Sequence, residues 1–104
     1  MNFAGFYDFC TALEGAEESF PFDQKTLVFK RHNKIFALAD TVNFSFINLK
    51  CIPEKAIELR EQYQGIHPGY HMNKKHWNSI YVNQDVSDEL IYELINHSFA
   101  LVKA

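Results

Sequence analysis

A chain of 104 residues, of which 47% are apolar, is the size of one domain with a real but small core. This composition excludes an intrinsically disordered protein, and the formal net charge of −3 argues against a generic binder of polyanions. No apolar run approaches the ~20 residues that span a bilayer, so no membrane partner is expected.

The positions of the charged residues and cysteines along the chain are more informative than their total numbers. Residues 1–23 hold five carboxylates and no Lys or Arg, whereas residues 24–84 hold nine Lys or Arg against four carboxylates. A positive middle segment favours an anionic partner. The N-terminus has no signal-peptide pattern, and Cys10 and Cys51 match no metal or redox spacing. We therefore expect two buried thiols in a reducing compartment, which indicates the cytoplasm.

The first elements are predicted from spacing and caps. Residues 3–13 have apolar side chains at helical intervals, Asn2 is a suitable N-cap, and Gly15 is a suitable stop. Acidic residues then lead into residues 19–22, where Pro21 excludes a helix. We expect this segment to be an extended connector.

Three strands are predicted next, at residues 26–31, 34–39 and 44–51. His32 and Asn33 form a plausible two-residue hairpin turn between the first two. Alternation in the third strand predicts which side chains share a face. One face is expected to carry Ser45, Ile47, Leu49 and Cys51, and the other Phe44, Phe46, Asn48 and Lys50.

The second half of the chain is predicted as helix, two strands and helix. Residues 53–63 read as a helix that begins at Pro53 with a weak cap, and residues 70–72 as a short strand. A turn at residues 73–75 leads into a strand at residues 77–82. Ile80 and Val82 of that strand are expected in the core, with Trp77, Ser79 and Tyr81 opposite. The last helix begins after Ser87 and presents an apolar stripe that ends at Val102.

The resulting order, α-β-β-β-α-β-β-α, predicts one α+β domain over residues 1–104, a two-layer sandwich with one antiparallel sheet and the helices on one face. The other face would be open. It is expected to carry Phe44, Phe46, Trp77 and Tyr81, with Asn48 and Lys50. Because four large aromatic side chains seldom stay exposed together, we expect a second subunit, a protein partner or a ligand to cover them.

Four short segments resemble the MmcQ/YjbR family: SFPF at 19–22, NLKC-x-P at 48–53, PGYHMNKKHWN at 68–78 and HSF at 97–99. The third is the specific one, and the resemblance spans essentially the whole chain. It implies an α-β(3)-α-β(2)-α fold similar to secretion chaperones and distantly like frataxin-like proteins. It also implies a DNA-binding label that rests on analogy with double-wing domains. One departure is Ile52, where family members commonly have a capping residue.

The segment from Tyr70 to Trp77 is the candidate binding site. Two lysines on a turn, flanked by imidazole and amide groups, are suited to holding phosphate, and the flanking aromatic rings to stacking on bases. The predicted nucleic-acid or partner site comprises Tyr70, His71, Asn73, Lys74, Lys75, His76, Trp77 and Lys50, with Lys30, Arg31 and Lys34 as extensions of the basic surface. The alternative is structural, in which Gly69 and Asn73 build an unusual hairpin and the lysines are merely solvated.

Catalytic, cofactor and metal sites are not predicted. His67, His71 and His76 have no acidic neighbour and no zinc-motif spacing. A nucleophile–base pair of Cys51 and His71 is not expected, because Cys51 is predicted to face the core, where thiols are inert. His97 is expected to hydrogen-bond across to the central motif rather than to act in catalysis.

The sequence thus predicts a small cytoplasmic non-enzymatic binding protein that contacts DNA through the hairpin from Tyr70 to Trp77. The alternative is a protein-interaction or chaperone-like module that uses the open aromatic face, either with another protein or by self-association. Neither interpretation requires a cofactor.

Overall fold

Three helices pack on one face of a six-stranded antiparallel sheet in the computed structural model, which describes residues 1–103. The helices are α1 (Phe3–Thr11), α2 (Pro53–Gln62) and α3 (Asp88–Leu101). The strands are β1 (Glu17–Ser19), β2 (Thr26–Arg31), β3 (Lys34–Asp40), β4 (Phe46–Lys50), β5 (Ile66–Pro68) and β6 (Trp77–Tyr81), in the sheet order β1-β2-β3-β4-β6-β5. The predicted two-layer α+β sandwich is therefore confirmed, with β1 as one additional strand.

Strand β1 lies where the sequence predicts only acidic residues and a connector. Its residues pair with β2, Glu17 opposite Lys30 and Ser19 opposite Val28. All three side chains of β1 are exposed, so the strand has no apolar alternation that a sequence pattern can detect. Backbone hydrogen bonds to β2 alone define it.

The predicted helix caps are confirmed. The side chain of Asn2 accepts a hydrogen bond from the Gly5 backbone N–H at 2.9 Å, and that of Ser87 accepts from Leu90 at 3.1 Å. Ile52 gives α2 no side-chain cap, as its apolar side chain predicts. The chain leaves α1 through Gly15, whose φ of +89° favours glycine.

The hairpin between β2 and β3 has the predicted two-residue turn. Both His32 and Asn33 have positive φ, at 52° and 63°, which is typical of a type I′ turn. A register shift follows, because Phe29 pairs with Ala37 while Lys30 pairs with Ile35. The bulge brings Phe36 and its neighbour Ala37 to the same side of the sheet, in the core beneath the helices.

Two side chains next to β4 lie on the opposite face from the one predicted. Phe44 packs under the helices, with its ring centroid 5.7 Å from that of Phe3 and 5.6 Å from that of Phe6. Ser45 lies on the other face of the sheet, where it lines a cleft. The reason is that β4 begins only at Phe46, so strand alternation does not apply to the two residues before it.

The predicted strand at residues 70–72 is wrong. The strand that pairs with β6 lies earlier, with Ile66 opposite Ile80 and Pro68 opposite Asn78. Residues 69–76 instead form a loop, which we call the outer loop, that folds over the face of the sheet away from the helices. A Cβ atom on Gly69 would lie 2.7 Å from the Cβ of Trp77, so the loop can approach the strand this closely only with glycine there.

Candidate functional site

The outer face of the sheet, opposite the helices, has its own small apolar cluster. Val28, Leu38 and Trp77 are buried there, and Ile35 and Met72 pack against them. Trp77 is only 9% exposed. Little of its indole is therefore free for the base stacking predicted for it. The sequence does not reveal this, because Met72 covers the ring only when the outer loop folds back.

Arg60 on α2 fixes the outer loop from the side. Its Nε donates to the Asn78 side-chain oxygen at 2.6 Å, and its Nη2 donates to the Trp77 carbonyl at 3.2 Å and to the Lys74 carbonyl. The Asn78 amide in turn donates to the Ala56 carbonyl at 3.3 Å. The loop is thus anchored to both a helix and a strand.

The two adjacent lysines of the outer loop have different roles. The Lys74 ammonium group donates to the Gly69 carbonyl within the loop. Lys75 is exposed, and its backbone N–H donates to the Asn73 side chain at 2.9 Å, the turn contact predicted for Asn73. The two lysines are therefore not equivalent, because one ammonium group also braces the loop.

A cleft of about 530 Å³ lies on the outer face between the outer loop, the neighbouring ends of β3 and β4, and the connector between β1 and β2. Its apolar lining is supplied by Phe22, Leu38, Ala39, Phe46, Tyr70 and Met72, and its polar lining by Thr26, Asp40, Asn43, Ser45, Asn48 and His71. A cleft of this size with a few polar groups in an apolar lining is typical of ligand sites.

A polar network beneath the cleft positions Tyr70. The amide of Asn48 donates to the Tyr70 carbonyl at 3.1 Å, and the Tyr70 N–H donates to the Ser79 hydroxyl at 2.9 Å. Ser79 also donates to the Asn48 side-chain oxygen. Asn48 and Ser79 are both buried, so their hydrogen bonds are well shielded from water and hold the backbone of Tyr70 firmly.

Tyr70 itself is 57% exposed at the edge of the cleft. Its centroid lies 5.9 Å from that of Phe46 and 4.0 Å from that of the His71 ring. His71 has a φ of 58°, a conformation that costs a residue with a Cβ about 1–2 kcal/mol. The contacts beneath the cleft thus hold two adjacent rings at its rim, one of them on a strained backbone.

Asp40 ends β3 at the other side of the cleft. One of its carboxylate oxygens accepts the backbone N–H groups of Val42 and Asn43, each at 2.8 Å. The residue is partly buried. Within residues 1–103 the ion pair found joins the N-terminal ammonium group to Asp88 at 3.1 Å, so Asp40 has no cationic partner among them.

The other predicted residues lie apart from the cleft. Lys50 is opposite Trp77 on β4, and its backbone N–H donates to Ser98 at 2.9 Å. The carbonyl of His76 accepts from Cys51 at 2.8 Å. These contacts place Lys50 and His76 at the end of β4 that is remote from Asp40.

The basic extension is smaller than predicted, because Arg31 is used internally. Its guanidinium carbon lies 4.2 Å from the Phe99 ring centroid, and the group donates to the Phe99 carbonyl at 3.3 Å. Arg31 therefore faces the helices and not the side of the sheet that carries the outer loop. Lys30 lies opposite Glu17 in the register of the sheet.

The histidines do not assemble into a metal site. His67 lies on β5 with its ring centroid 5.1 Å from that of Tyr81, while His71 is in the outer loop. In the part of the chain that the structure describes, no three His, Cys, Asp or Glu side chains converge.

The contact predicted between His97 and the central motif is wrong. Its Nε2 accepts from the Ile52 backbone N–H at 3.3 Å, directly before α2. Burial, together with the nearby charge of Lys55, lowers the pKa of His97. The histidine thus contacts the end of α2 that lacks a side-chain cap.

Both cysteines are buried and unpaired, as predicted. Burial raises the pKa of the Cys10 thiol to about 12 and also raises that of Cys51. Neither thiol is therefore a nucleophile at neutral pH.

Three residues that shape the site are not among those predicted from the sequence. Phe22 is 65% exposed at the cleft, and an aromatic ring following a proline in a polar connector is a signal that could have been noted. Asp40 followed by Asn43 is a turn signature that suggests a capping carboxylate. No local pattern identifies Arg60, because its partners lie 14 to 18 residues away.

A family model and similar proteins of known sequence indicate the same family for this chain. The YjbR family model matches residues 11–101. The chain is 45% identical over 91 residues to the uncharacterized protein YbdF of Escherichia coli O157:H7, covering 86% of this chain and 75% of that protein. It is 34% identical over 100 residues to the uncharacterized protein YjbR of Escherichia coli K12, covering 95% and 85%.

Solved structures agree with the fold. A crystal structure of a Deinococcus radiodurans protein with a DUF419 domain is similar at a TM-score of 0.90 and 39% identity, covering 95% of this chain and 76% of that one. A crystal structure of a Pseudomonas syringae protein is similar at a TM-score of 0.84 and 29% identity, covering 99% and 100%. Within residues 1–103 no helix is both long and apolar enough to cross a bilayer.

Proposed function

The chain belongs to the YjbR family, and we propose that it is a non-enzymatic cytoplasmic binding protein that receives a segment of a protein partner in the cleft on its outer face. The observation that carries the proposal is the pair of exposed rings at this cleft, Phe22 and Tyr70. Aromatic side chains at the edge of an apolar cleft are typical anchors of protein interfaces. The cytoplasmic location is supported by the two unpaired thiols.

Few side chains at the cleft are suited to catalysis, which favours a binding function over an enzymatic one. Both thiols are buried away from it, and among the described lining residues His71 is the only histidine, the side chain that most often acts as a general base near neutral pH. Within residues 1–103, no carboxylate approaches the His71 ring closely enough to form an ion pair. The lining is thus suited to contact with a partner.

The test is selection of short peptides from a random displayed library on the wild-type protein, followed by calorimetry and NMR shift mapping. Tyr70→Ser removes a ring whose backbone is held independently by Asn48 and Ser79. Peptides that bind the wild type should bind this variant at least about tenfold more weakly. The matched control is Ile57→Ser, which removes an apolar side chain of similar exposure on α2.

Shift changes should appear at the cleft residues Phe46 and Met72. If no selected peptide depends on Tyr70, or if the shifts map to α2 around Ile57, the cleft is not the interaction site and the proposal is wrong.

DNA binding is the second candidate, and the exposed Lys75 with the nearby Lys50 favours it. Within the described residues neither lysine has a carboxylate partner, so both can contact phosphate. The test is titration with duplex and single-stranded DNA at about 50 mM salt. Replacing Lys50 and Lys75 by Gln should flatten the salt slope on duplex DNA by about 2.

The matched control is Lys74→Gln, which removes the same charge from an ammonium group that braces the loop. It should change the free energy of unfolding and leave the salt dependence of DNA affinity nearly unaltered. No binding by the wild type at low salt would exclude this candidate.

A further inference from the structure

Hydrogen bonds within the described chain orient the Asp40 carboxylate, but they engage only one of its two oxygens. Two backbone N–H groups, from Val42 and Asn43, bind the same oxygen, Oδ1. Within residues 1–103 no hydrogen bond to the second oxygen, Oδ2, is formed. The carboxylate is therefore fixed in direction, and a residue that lines the cleft keeps one strong acceptor free of hydrogen bonds within the described chain.

Comparison with Asp23 shows that this arrangement is not a general property of the turns. Asp23 caps the neighbouring connector, where its Oδ1 accepts from the backbone of Lys25 and Thr26. Its Oδ2 also accepts, from the Thr26 hydroxyl at 3.2 Å. Asp23 thus uses both oxygens within the chain and does not line the cleft, whereas Asp40 uses one and does.

The surroundings of Asp40 favour a positive charge. Of the described residues that line the cleft, Asp40 is the only one of the Asp, Glu, Lys and Arg types. Its carboxylate is partly buried and has no cationic partner in the described chain, so an incoming cation would meet little competition. The cleft also presents the rings of Phe22, Phe46 and Tyr70, whose faces attract cations.

We propose that the cleft recognises a guanidinium or ammonium group carried on an apolar stem, such as an arginine or lysine side chain of the partner segment. The charged group donates to Asp40 Oδ2, and the stem lies against the rings of Phe46 and Tyr70. Because only one carboxylate oxygen is available, the contact is a single charge-assisted hydrogen bond and not a bidentate pair. The peptide source of the cation rests on the function proposed above, while recognition of the cation does not.

The experiment uses acetylated and amidated pentapeptides with one variable central residue between Leu and Phe, titrated by calorimetry. The central residue is arginine, lysine, citrulline or norleucine, of which citrulline is the neutral counterpart of arginine. We expect the arginine and lysine peptides to bind about tenfold more tightly than the other two. Asp40→Asn should remove this difference, because its amide oxygen still caps the turn while the charge is lost.

Glu93→Gln is the matched control, since it removes one exposed carboxylate from α3 on the other side of the sheet. It should leave the tenfold preference intact. Thermal unfolding of both variants checks that the fold is preserved.

The outcomes separate the two proposals. If peptide binding depends on Tyr70 but the peptides with central arginine and central citrulline bind equally well, cation recognition is wrong and peptide binding stands. The second titration uses agmatine, a small guanidine on an apolar stem, in place of the peptides. If no peptide binds but agmatine shifts the NMR signals of Asp40 and Tyr70 in the wild type and not in Asp40→Asn, cation recognition stands and peptide binding is wrong. Absence of both responses overturns both.

Discussion

The two faces of the sheet are closed in different ways. On the inner face, three helices cover a continuous core in which Phe6, Phe29 and Phe36 are fully buried. On the outer face, one loop covers a small cluster around Trp77 and leaves a cleft beside it. The difference teaches that residues 69–76 both cover Trp77 and line the cleft, and that the cleft also depends on residues from several other segments.

The largest expected effect separates the faces by stability. Phe29→Ala should lower the free energy of unfolding by about 3–5 kcal/mol, because it leaves a cavity under the helices. Phe22→Ala, at the outer cleft, should change it by less than about 0.5 kcal/mol. Urea unfolding measures both. Similar losses for the two variants would show that the outer rings are part of the core.

Arg60→Met tests whether the outer loop depends on α2. The variant keeps an apolar stem but removes the hydrogen bonds to Asn78, Trp77 and Lys74, so unfolding should become easier by about 2–4 kcal/mol. Arg60→Lys should rescue little, because an ammonium group cannot reproduce the fork. Lys55→Met, an exposed position on the same helix, is the control. A loss below about 1 kcal/mol would mean that packing of Trp77 holds the loop without help.

Gly69→Ala tests, with a single added methyl group, how closely the outer loop packs on the sheet. The added Cβ would meet the Cβ and carbonyl oxygen of Trp77 at 2.7 and 3.0 Å, so the outer loop must lift, at a cost of about 1–3 kcal/mol. The indole fluorescence should then shift toward that of an exposed ring. Gly5→Ala, within α1 on the helix-covered side, should cost less, because its added Cβ would come no closer than 3.3 Å to another atom, the Asn2 side-chain oxygen. Equal effects at the two glycines would argue against close packing of the loop.

The smallest expected effect is a pH dependence on the helix side. The pKa of His97 is lowered from 6.5 in the folded protein, so the unfolded chain binds more protons in this range. Stability from this group is fully present above about pH 6.5 and is lost as pH falls through the lower folded pKa. An NMR titration of the imidazole, with unfolding measured from pH 7 to pH 5, tests this. His97→Gln should flatten the dependence, and a folded pKa above 6.5 would contradict it.

Local structure was predictable where the cause is local. The caps at Asn2 and Ser87 and the turn at His32 and Asn33 each depend on residues within a few positions, and all are confirmed. Alternation also placed Ile47 and Leu49 correctly in the core. These interactions are encoded by short patterns, which a single sequence displays fully.

The outer loop was not predictable because its contacts are distant along the chain. Trp77 is covered by a loop that Arg60 and Asn48 hold, and these partners come from a helix and from another strand. Tyr70 and His71 were predicted as site residues and do line the cleft. Asp40 was not predicted, because nothing in its neighbourhood shows that the strand end and the loop meet.

The two outermost strands also bear on how the protein behaves at high concentration. Strand β1 is three residues long and carries Glu17 and Glu18, both exposed. Strand β5 has the same length and ends at Pro68, which has no N–H to donate. Short edges with charge or proline are poor templates for a further strand, so growth of the sheet into fibres is disfavoured at both ends. Aggregation by strand addition is thereby suppressed without any need to close the cleft.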